Sequence, residues 1–291
     1  MKTDLVKGFK DFTGKDAEKR NEIKKIIAEV FEKYGFEPAE TPVVEYEEFV
    51  KGKNERDEAV SDIFKLKDKG KRNLALRYEF TFQLKRLMKN KKLPYKRYQI
   101  GSVFRDEPTG GNRLRQFTQC EVDIIGSTLK DDAEILATAK EILDKLKVNY
   151  TIYVNNRQLI NEILDESKIK KSSKEQVMRE IDKLDKLSEK EVRKNLKKYN
   201  AEKVLSILKK PETYFKKYKA YGEIEELKKY CAFYNVKIKF QPSLARGLSY
   251  YTGTVFEIKS KIKETIFGGG SYTFSGTTGV GYGVGIERLS A

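Results

Sequence analysis

Two strand-like arms around a short glycine turn constrain this chain most. YKRYQIGSVFRDEP (95–108) and RQFTQCEVDIIG (115–126) are joined through Thr-Gly-Gly-Asn-Arg-Leu, which predicts a long antiparallel hairpin. A hairpin of that length is not stable alone and needs a sheet to join. Candidate partners lie on both sides of it. FEPAETPVVE (36–45) carries Pro38 and Pro42, which suit an edge or extended segment. DIFKLKDKGKRNLALR (62–77) reads as a second hairpin about a Lys-Gly turn. VNYTIYVNN (148–156), VKIKFQP (236–242), SYYTGTVFEIK (249–259) and ETIFGGG (264–270) are further strands.

Helical spacing alternates with these. Ile23, Ile26, Ile27, Val30, Phe31 and Tyr34 recur at three and four within 16–34, and Gly35 follows as a C-terminal stop. FTFQLKRLMKN (80–90) and residues 131–147 repeat the pattern. Residues 168–229 are wholly helical in spacing, with Pro211 as their one proline; they hold 20 basic and 11 acidic residues, a net of +9. Strands at both ends of a chain enclosing a helical stretch predict an α+β fold with a mostly antiparallel sheet flanked by helices and a helical insertion. The expected division is 1–165, a basic insertion 166–231, and 232–291.

The charge balance of +16 over 291 residues favours a polyanionic partner such as nucleic acid. It equally fits the Lys/Glu-rich solvated surface of a heat-adapted protein. Cys120 and Cys231 form no CxxC pair, which argues against a disulfide framework or cysteine zinc site. No run reaches the roughly 18 apolar residues of a membrane helix. A reducing cytoplasm is the expected location.

The chain contains no histidine. A Ser-His-Asp triad, a histidine general base and a histidine metal ligand are therefore excluded. Chemistry must rest on arginine, carboxylate, tyrosine and backbone groups. A reaction with an already ionised nucleophile and a barrier made of phosphate charge meets that limit.

Arginines suited to bidentate phosphate contact sit at three places. Arg105 and Arg115 lie on opposite arms of the first hairpin, with Arg113 between them. Phe117 shares a strand face with Arg115 and offers a ring for a base. A surface hairpin with Arg–Glu pairs and a core phenylalanine fits the same residues. Arg246 precedes Gly247 and a tyrosine-rich strand. Arg288 closes GVGYGVGIERL, where glycines at 279, 281, 283 and 285 allow close backbone approach.

Taken in order, these stretches resemble the class II aminoacyl-tRNA synthetases. FEPAETPVVE resembles motif 1 with its proline at Pro42, FRDE…RLRQF motif 2, and GVGIERL motif 3. LARGLSYYTGTVFE resembles the signature peculiar to histidyl-tRNA synthetases. LRYEFT (76–81) is similar to that family's amino-acid loop, Leu-Arg-Pro-Glu-x-Thr, and KGFKDF to its opening.

The resemblance implies activation of L-histidine with ATP and Mg²⁺, followed by transfer to tRNA(His), by a homodimer. Arg105 would hold the α-phosphate and Glu107 would read the adenine amino group. Arg115 and Arg288 would hold the γ-phosphate end, with Phe117 and Arg288 around the adenine. Arg246 would stabilise charge as the carboxylate attacks. Glu79, Thr81 and Gln119 would bind the α-amino group. Asp123, Tyr251 and Tyr272 would recognise imidazole, which presents one donor and one acceptor when neutral. No resident metal site is expected.

Four departures accompany the match. Ser249 stands where the signature has aspartate, Ser271 and Thr273 where the family has arginine and aspartate, and Tyr78 where the loop has proline. These bear on imidazole recognition rather than on ATP. The sequence ends three residues after Arg288, so the family's anticodon-binding domain is not expected here. That ending also suits a non-catalytic, histidine-sensing relative like the regulatory subunit of ATP phosphoribosyltransferase.

Overall fold

The computed structural model describes residues 3–52, 60, 62–110, 113–246, 250–261, 265–274 and 276–290. In chain order these form α1 (Gly14–Lys33), β1 (Glu37–Pro38), β2 (Val44–Tyr46), α2 (Glu47–Lys51), β3 (Lys65–Lys67), β4 (Asn73–Leu76) and α3 (Leu84–Leu87). Then come β5 (Tyr95–Phe104), β6 (Gln116–Ile125), α4 (Leu129–Lys145), β7 (Thr151–Asn156) and α5 (Arg157–Glu166). The helical stretch continues as α6 (Lys174–Asp182), α7 (Glu189–Lys197), α8 (Glu202–Leu208), α9 (Glu212–Phe215) and α10 (Tyr221–Phe233). The chain closes with β8 (Ile238–Phe240), β9 (Tyr251–Lys259), β10 (Thr265–Phe274), β11 (Thr277–Gly285) and α11 (Ile286–Ser290).

The chain divides into two units. One comprises Met1–Ile125, Glu141–Lys147 and Tyr282–Ala291; the other comprises Gly126–Lys140 and Val148–Gly281.

In the first unit, β5 and β6 form the expected hairpin, with Tyr95 opposite Ile125 and Phe104 opposite Gln116. Ten residues on each arm pair without a break, so the face carried by each side chain follows from its parity. β1 joins β5 in parallel, and β2, β4 and β3 make a separate antiparallel sheet. α1 lays Ile23, Ile27, Val30 and Phe31 inward at i, i+4, i+7 and i+8. Phe31 meets Tyr98 of β5 at 5.3 Å between ring centroids and Tyr282 at 6.2 Å. Gly35, at a φ of 78°, ends the helix in the left-handed region that favours glycine.

In the second unit, β9 pairs antiparallel with both β10 and β7, and β8 joins β7 in parallel. Val154, Phe256, Ile258 and Phe267 are fully buried. The segment 168–229 is helical as its spacing predicts. α7 opens on a reciprocal cap, in which Ser188 and Glu191 each satisfy the other's backbone N–H. Phe215 and Tyr221 pack edge-on against Phe240 of β8, at 5.1 and 5.3 Å. Among the described residues no helix is long and apolar enough to cross a membrane.

Candidate functional site

The hairpin's odd-numbered face carries most of the predicted residues in the first unit. Along β6 it presents Phe117, Gln119, Glu121 and Asp123; along β5, Arg97, Gln99, Gly101 and Val103. Arg105 and Arg115 continue the ladder just beyond the regular strands, with Arg105 N–H donating to the Arg115 carbonyl at 2.9 Å. The Arg105 guanidinium donates to the Tyr78 carbonyl at 3.1 Å and reaches Gln119 Oε1 at 3.4 Å, and it lies 5.2 Å from the Phe117 ring centroid. Arg115 pairs with Asp106 at 3.1 Å and donates to the Glu107 carbonyl at 3.2 Å. Glu107 lies 3.3 Å from Arg113 and 3.8 Å from Arg105. Arg105, Glu107, Arg115 and Phe117 are thus one cluster. Gly111 and Asn112 of the predicted turn lie outside the described residues.

The N-terminal KGFKDF stretch supports this cluster. Gly8 O accepts from Arg115 N–H at 2.8 Å, and a Cβ on Gly8 would come within 2.7 Å of the Arg115 side chain. Only glycine lets the backbone lie that close, and its φ of 87° favours glycine too.

Further along the same face, Arg97 is fully buried and bridges Glu121 at 2.7 Å and Asp123 at 2.8 Å. One buried guanidinium is thus shared by two carboxylates, which leaves negative charge in excess on this face. Glu121 also accepts from Thr81 Oγ1 at 3.0 Å and from Gln119 Nε2 at 2.6 Å. Glu79 is buried beside them. Burial first, and the neighbouring Glu121 charge second, push its carboxyl up to about 8, against the pull of Arg105.

Arg288 is half-buried in α11. The preceding Glu287 anchors that helix, pairing with buried Arg20 at 2.9 Å and accepting from Thr118 N–H at 3.1 Å. Thr118 lies on the opposite face of β6 from Phe117, so this anchor leaves the odd-numbered face free of α11's tether.

The second unit holds Arg246, Tyr251 and Tyr272. Arg246 has a φ of 48°, a left-handed conformation uncommon outside glycine. Asn155 donates to the carbonyls of Pro242 and Leu244, both at 2.9 Å, and Arg157 to those of Ala245 and Arg246, at 3.3 and 3.2 Å. These two buried side chains fix the backbone leading into Arg246. Its guanidinium pairs with Glu257 of β9 at 3.1 Å and lies 5.7 Å from the Tyr251 ring centroid. Burial opposes its charge, but Tyr251 and Glu257 outweigh that and hold the guanidinium's pKa above its ordinary value. Arg246 Nε is buried with no hydrogen-bond partner among the described residues. Gly247, Leu248 and Ser249 lie outside them.

Tyr251 sits opposite Tyr272 in the β9–β10 ladder, and both rings contact Tyr250, at 4.7 and 5.8 Å. Ser271 and Thr273 point to the other face of β10. Ser271 donates to Asp132 of α4 at 2.6 Å, and Thr273 bonds Thr252 at 3.2 Å. Two of the four departures therefore sit across the strand from Tyr272. Tyr78 is buried, its ring stacked on Phe82 at 5.9 Å, a packing position that accepts an aromatic in place of proline.

Reading the sequence missed Glu121, Arg97, Glu257 and Arg157. The signal for Glu121 is present in the sequence: the expected site residues Gln119 and Asp123 stand at even spacing, and Glu121 lies between them on the same face. Arg97 shares that face, directly across the hairpin from Asp123; Glu257 and Arg157 carry no such local signal.

Residues 8–289 match the family model for histidyl-tRNA synthetase. The chain belongs to the histidyl-tRNA synthetase family. Histidine–tRNA ligase 1 of Bacillus cereus is 37% identical over 298 residues, covering 94% of this chain and 68% of that protein. A crystal structure of histidyl-tRNA synthetase from Nostoc sp. superposes with a TM-score of 0.84 at 25% identity, over 99% of this chain and 74% of the other. A Bacillus halodurans protein described as an ATP phosphoribosyltransferase regulatory subunit/histidyl-tRNA synthetase shares the fold, with a TM-score of 0.85 at 20% identity over 100% of this chain and 83% of that one. The histidyl-tRNA synthetase fold is the α+β, mostly antiparallel arrangement the sequence predicts.

Proposed function

We propose that this chain activates L-histidine with ATP, forming histidyl-adenylate and pyrophosphate, and transfers the histidyl group to the terminal ribose of tRNA(His). The clustering of Arg105, Glu107, Arg115 and Phe117 at the mouth of one hairpin carries this reading, together with a half-buried Arg246 held by Glu257.

The histidine carboxylate is ionised at neutral pH, so its attack on the α-phosphorus needs no protein base. Negative charge grows on the α-phosphate as the new P–O bond forms and the bond to pyrophosphate breaks. Arg105 and Arg246 counter that charge, Arg115 and Arg288 hold the γ-phosphate end, and Phe117 and Arg288 flank the adenine while Glu107 reads its amino group. Glu79, Thr81 and Gln119 take the α-ammonium group. Asp123, Tyr251 and Tyr272 supply carboxylate and phenol groups for imidazole.

Among the described residues no three carboxylate, cysteine or histidine side chains gather into a metal cage. Mg²⁺ would enter on the triphosphate as part of the substrate. A homodimer fits the resemblance to motif 1 and the exposed Val43, Val44, Tyr46 and Leu66 on and beside β2 and β3. The basic helices of 166–231, read as an insertion domain, fit contact with a tRNA backbone. A cytoplasmic location follows from that role.

Histidine-dependent exchange of labelled pyrophosphate into ATP, assayed with all twenty amino acids, tests the reading. Exchange specific to histidine, and lost in Arg246→Ala, supports it. The shared fold with the Bacillus halodurans protein favours a second reading, a histidine-sensing regulatory subunit. Tight histidine binding with no exchange would select that one.

A further inference from the structure

Thr81 and Gln119 share a partner that the family resemblance does not name. Glu121 Oε1 accepts from the Thr81 hydroxyl at 3.0 Å and from Arg97 Nη2 at 2.7 Å. Its Oε2 accepts from Gln119 Nε2 at 2.6 Å and from Phe80 N–H at 3.4 Å. An ionised carboxylate can only accept. The Thr81 hydroxyl has one proton, and Glu121 takes it, so that oxygen faces other groups with lone pairs alone. The Gln119 amide turns its NH₂ toward Glu121, which leaves Oε1 facing away. There, among the described residues, it meets only the long 3.4 Å contact from Arg105. A Cβ on Gly283 would lie 3.4 Å from Gln119 Nε2, so the amide is closely enclosed on that side.

Threonine and glutamine are each both donor and acceptor by nature. Bound to Glu121, the Thr81 oxygen keeps only lone pairs, and Gln119, with one N–H spent on Glu121, turns its carbonyl oxygen the other way. Charge points the same way, because the one buried Arg97 serves both Glu121 and Asp123. A cation placed here would relieve that excess of carboxylate.

We propose that Glu121 is the positioning residue that sets the hydrogen-bond polarity of this cluster, committing Thr81 and Gln119 to accept from a protonated primary amine, the α-ammonium group of the amino-acid substrate. This rests on Thr81 and Gln119 binding that substrate. Glutamine at 121 can donate as well as accept. It would free the Thr81 proton or turn the Gln119 amide, and discrimination for the ammonium group would fall.

The experiment is calorimetric titration of the full chain with L-histidine and with its des-amino analogue, imidazole-4-propionate. Wild type should prefer L-histidine strongly. Glu121→Gln should cut that preference by about tenfold or more, the scale of a hydrogen bond to a charged group, and leave affinity for the analogue unchanged. A merely structural role would weaken both ligands together, and that result overturns the proposal, as does an unchanged preference. Glu121→Asp keeps the charge beside Arg97 but is one methylene short of Thr81 and Gln119 together. It should lose preference in the same direction and carries the test if Glu121→Gln does not fold. Wild type binding neither ligand would overturn the histidine reading and this proposal with it. Wild-type preference kept by both variants would overturn the proposal alone.

Discussion

Gly268 lies directly beneath the guanidinium of Arg246: a Cβ on residue 268 would fall 2.0 Å from Arg246 Nη1 and 2.7 Å from its Cζ. Two residues on, a Cβ on Gly270 would fall 2.4 Å from the Thr254 carbonyl oxygen and 2.9 Å from the Tyr251 ring. The Gly-Gly-Gly run of β10 is therefore a floor for Arg246 and Tyr251.

The two glycines should respond differently. In Gly268→Ala the atoms that must yield are the tip of a flexible side chain, so the fold should survive with a cost of about 1 kcal/mol. The guanidinium is pushed off Glu257, and histidine-dependent pyrophosphate exchange should fall by about 10–100-fold. In Gly270→Ala the obstacle is backbone, and stability should fall by about 1–3 kcal/mol or more. Thermal melts alongside exchange rates separate the two, and full activity in Gly268→Ala would count against Arg246 as the catalytic cation.

Asp132 should make stability fall as pH rises. It is almost fully buried, and burial lifts its carboxyl from 3.8 to about 7, against the Ser271 and Thr254 hydroxyls that favour the charged form. Between those values the folded protein holds a proton that the unfolded chain has released. Raising pH through that window therefore drains stability, and the contribution is complete only below the unfolded value. Asp132→Asn should raise the melting temperature by a few degrees, on the order of 2–4 °C, at pH 8 and by less at pH 5. Equal shifts at both pH values would rule the account out.

Proton release should accompany ligand binding at Glu79. Its carboxyl, raised to about 8 by burial and then by Glu121, is largely protonated at pH 7. An ammonium group beside it favours the anion, so L-histidine binding at pH 7 should release up to about one proton. Little should be released above pH 9, where the group is already ionised. Titration calorimetry in buffers of different ionisation enthalpy reads this directly. Glu79→Gln should abolish the release, and persistent release in that variant would place the proton elsewhere.

Lys194, Lys197 and Lys198 are exposed on and just beyond α7. If the basic helices hold tRNA, reversing all three to glutamate should weaken tRNA binding. It should also lower the slope of log affinity against log salt by roughly 2–3. Exchange of pyrophosphate, which needs no tRNA, should stay at the wild-type level. Filter binding across a salt series checks the first two expectations. Unchanged binding would return this face to a solvated surface.

Much of this protein is written in local pattern. Spacing of three and four marks α1 and the helices of 168–229. Gly35 marks the end of α1, and alternation over 95–126 marks a hairpin whose register places Phe117, Gln119 and Asp123 on one face. Such signals are legible because helix and strand periods act between near neighbours in the chain. Tertiary structure alone decided which charges meet. Arg20 of α1 pairs with Glu287 of α11, and Arg157 holds the Arg246 backbone 89 residues away. It also set Ser271 against Asp132, on the far side of the strand from Tyr272. A buried charge must find its partner wherever folding brings one within reach, and no local period records that choice.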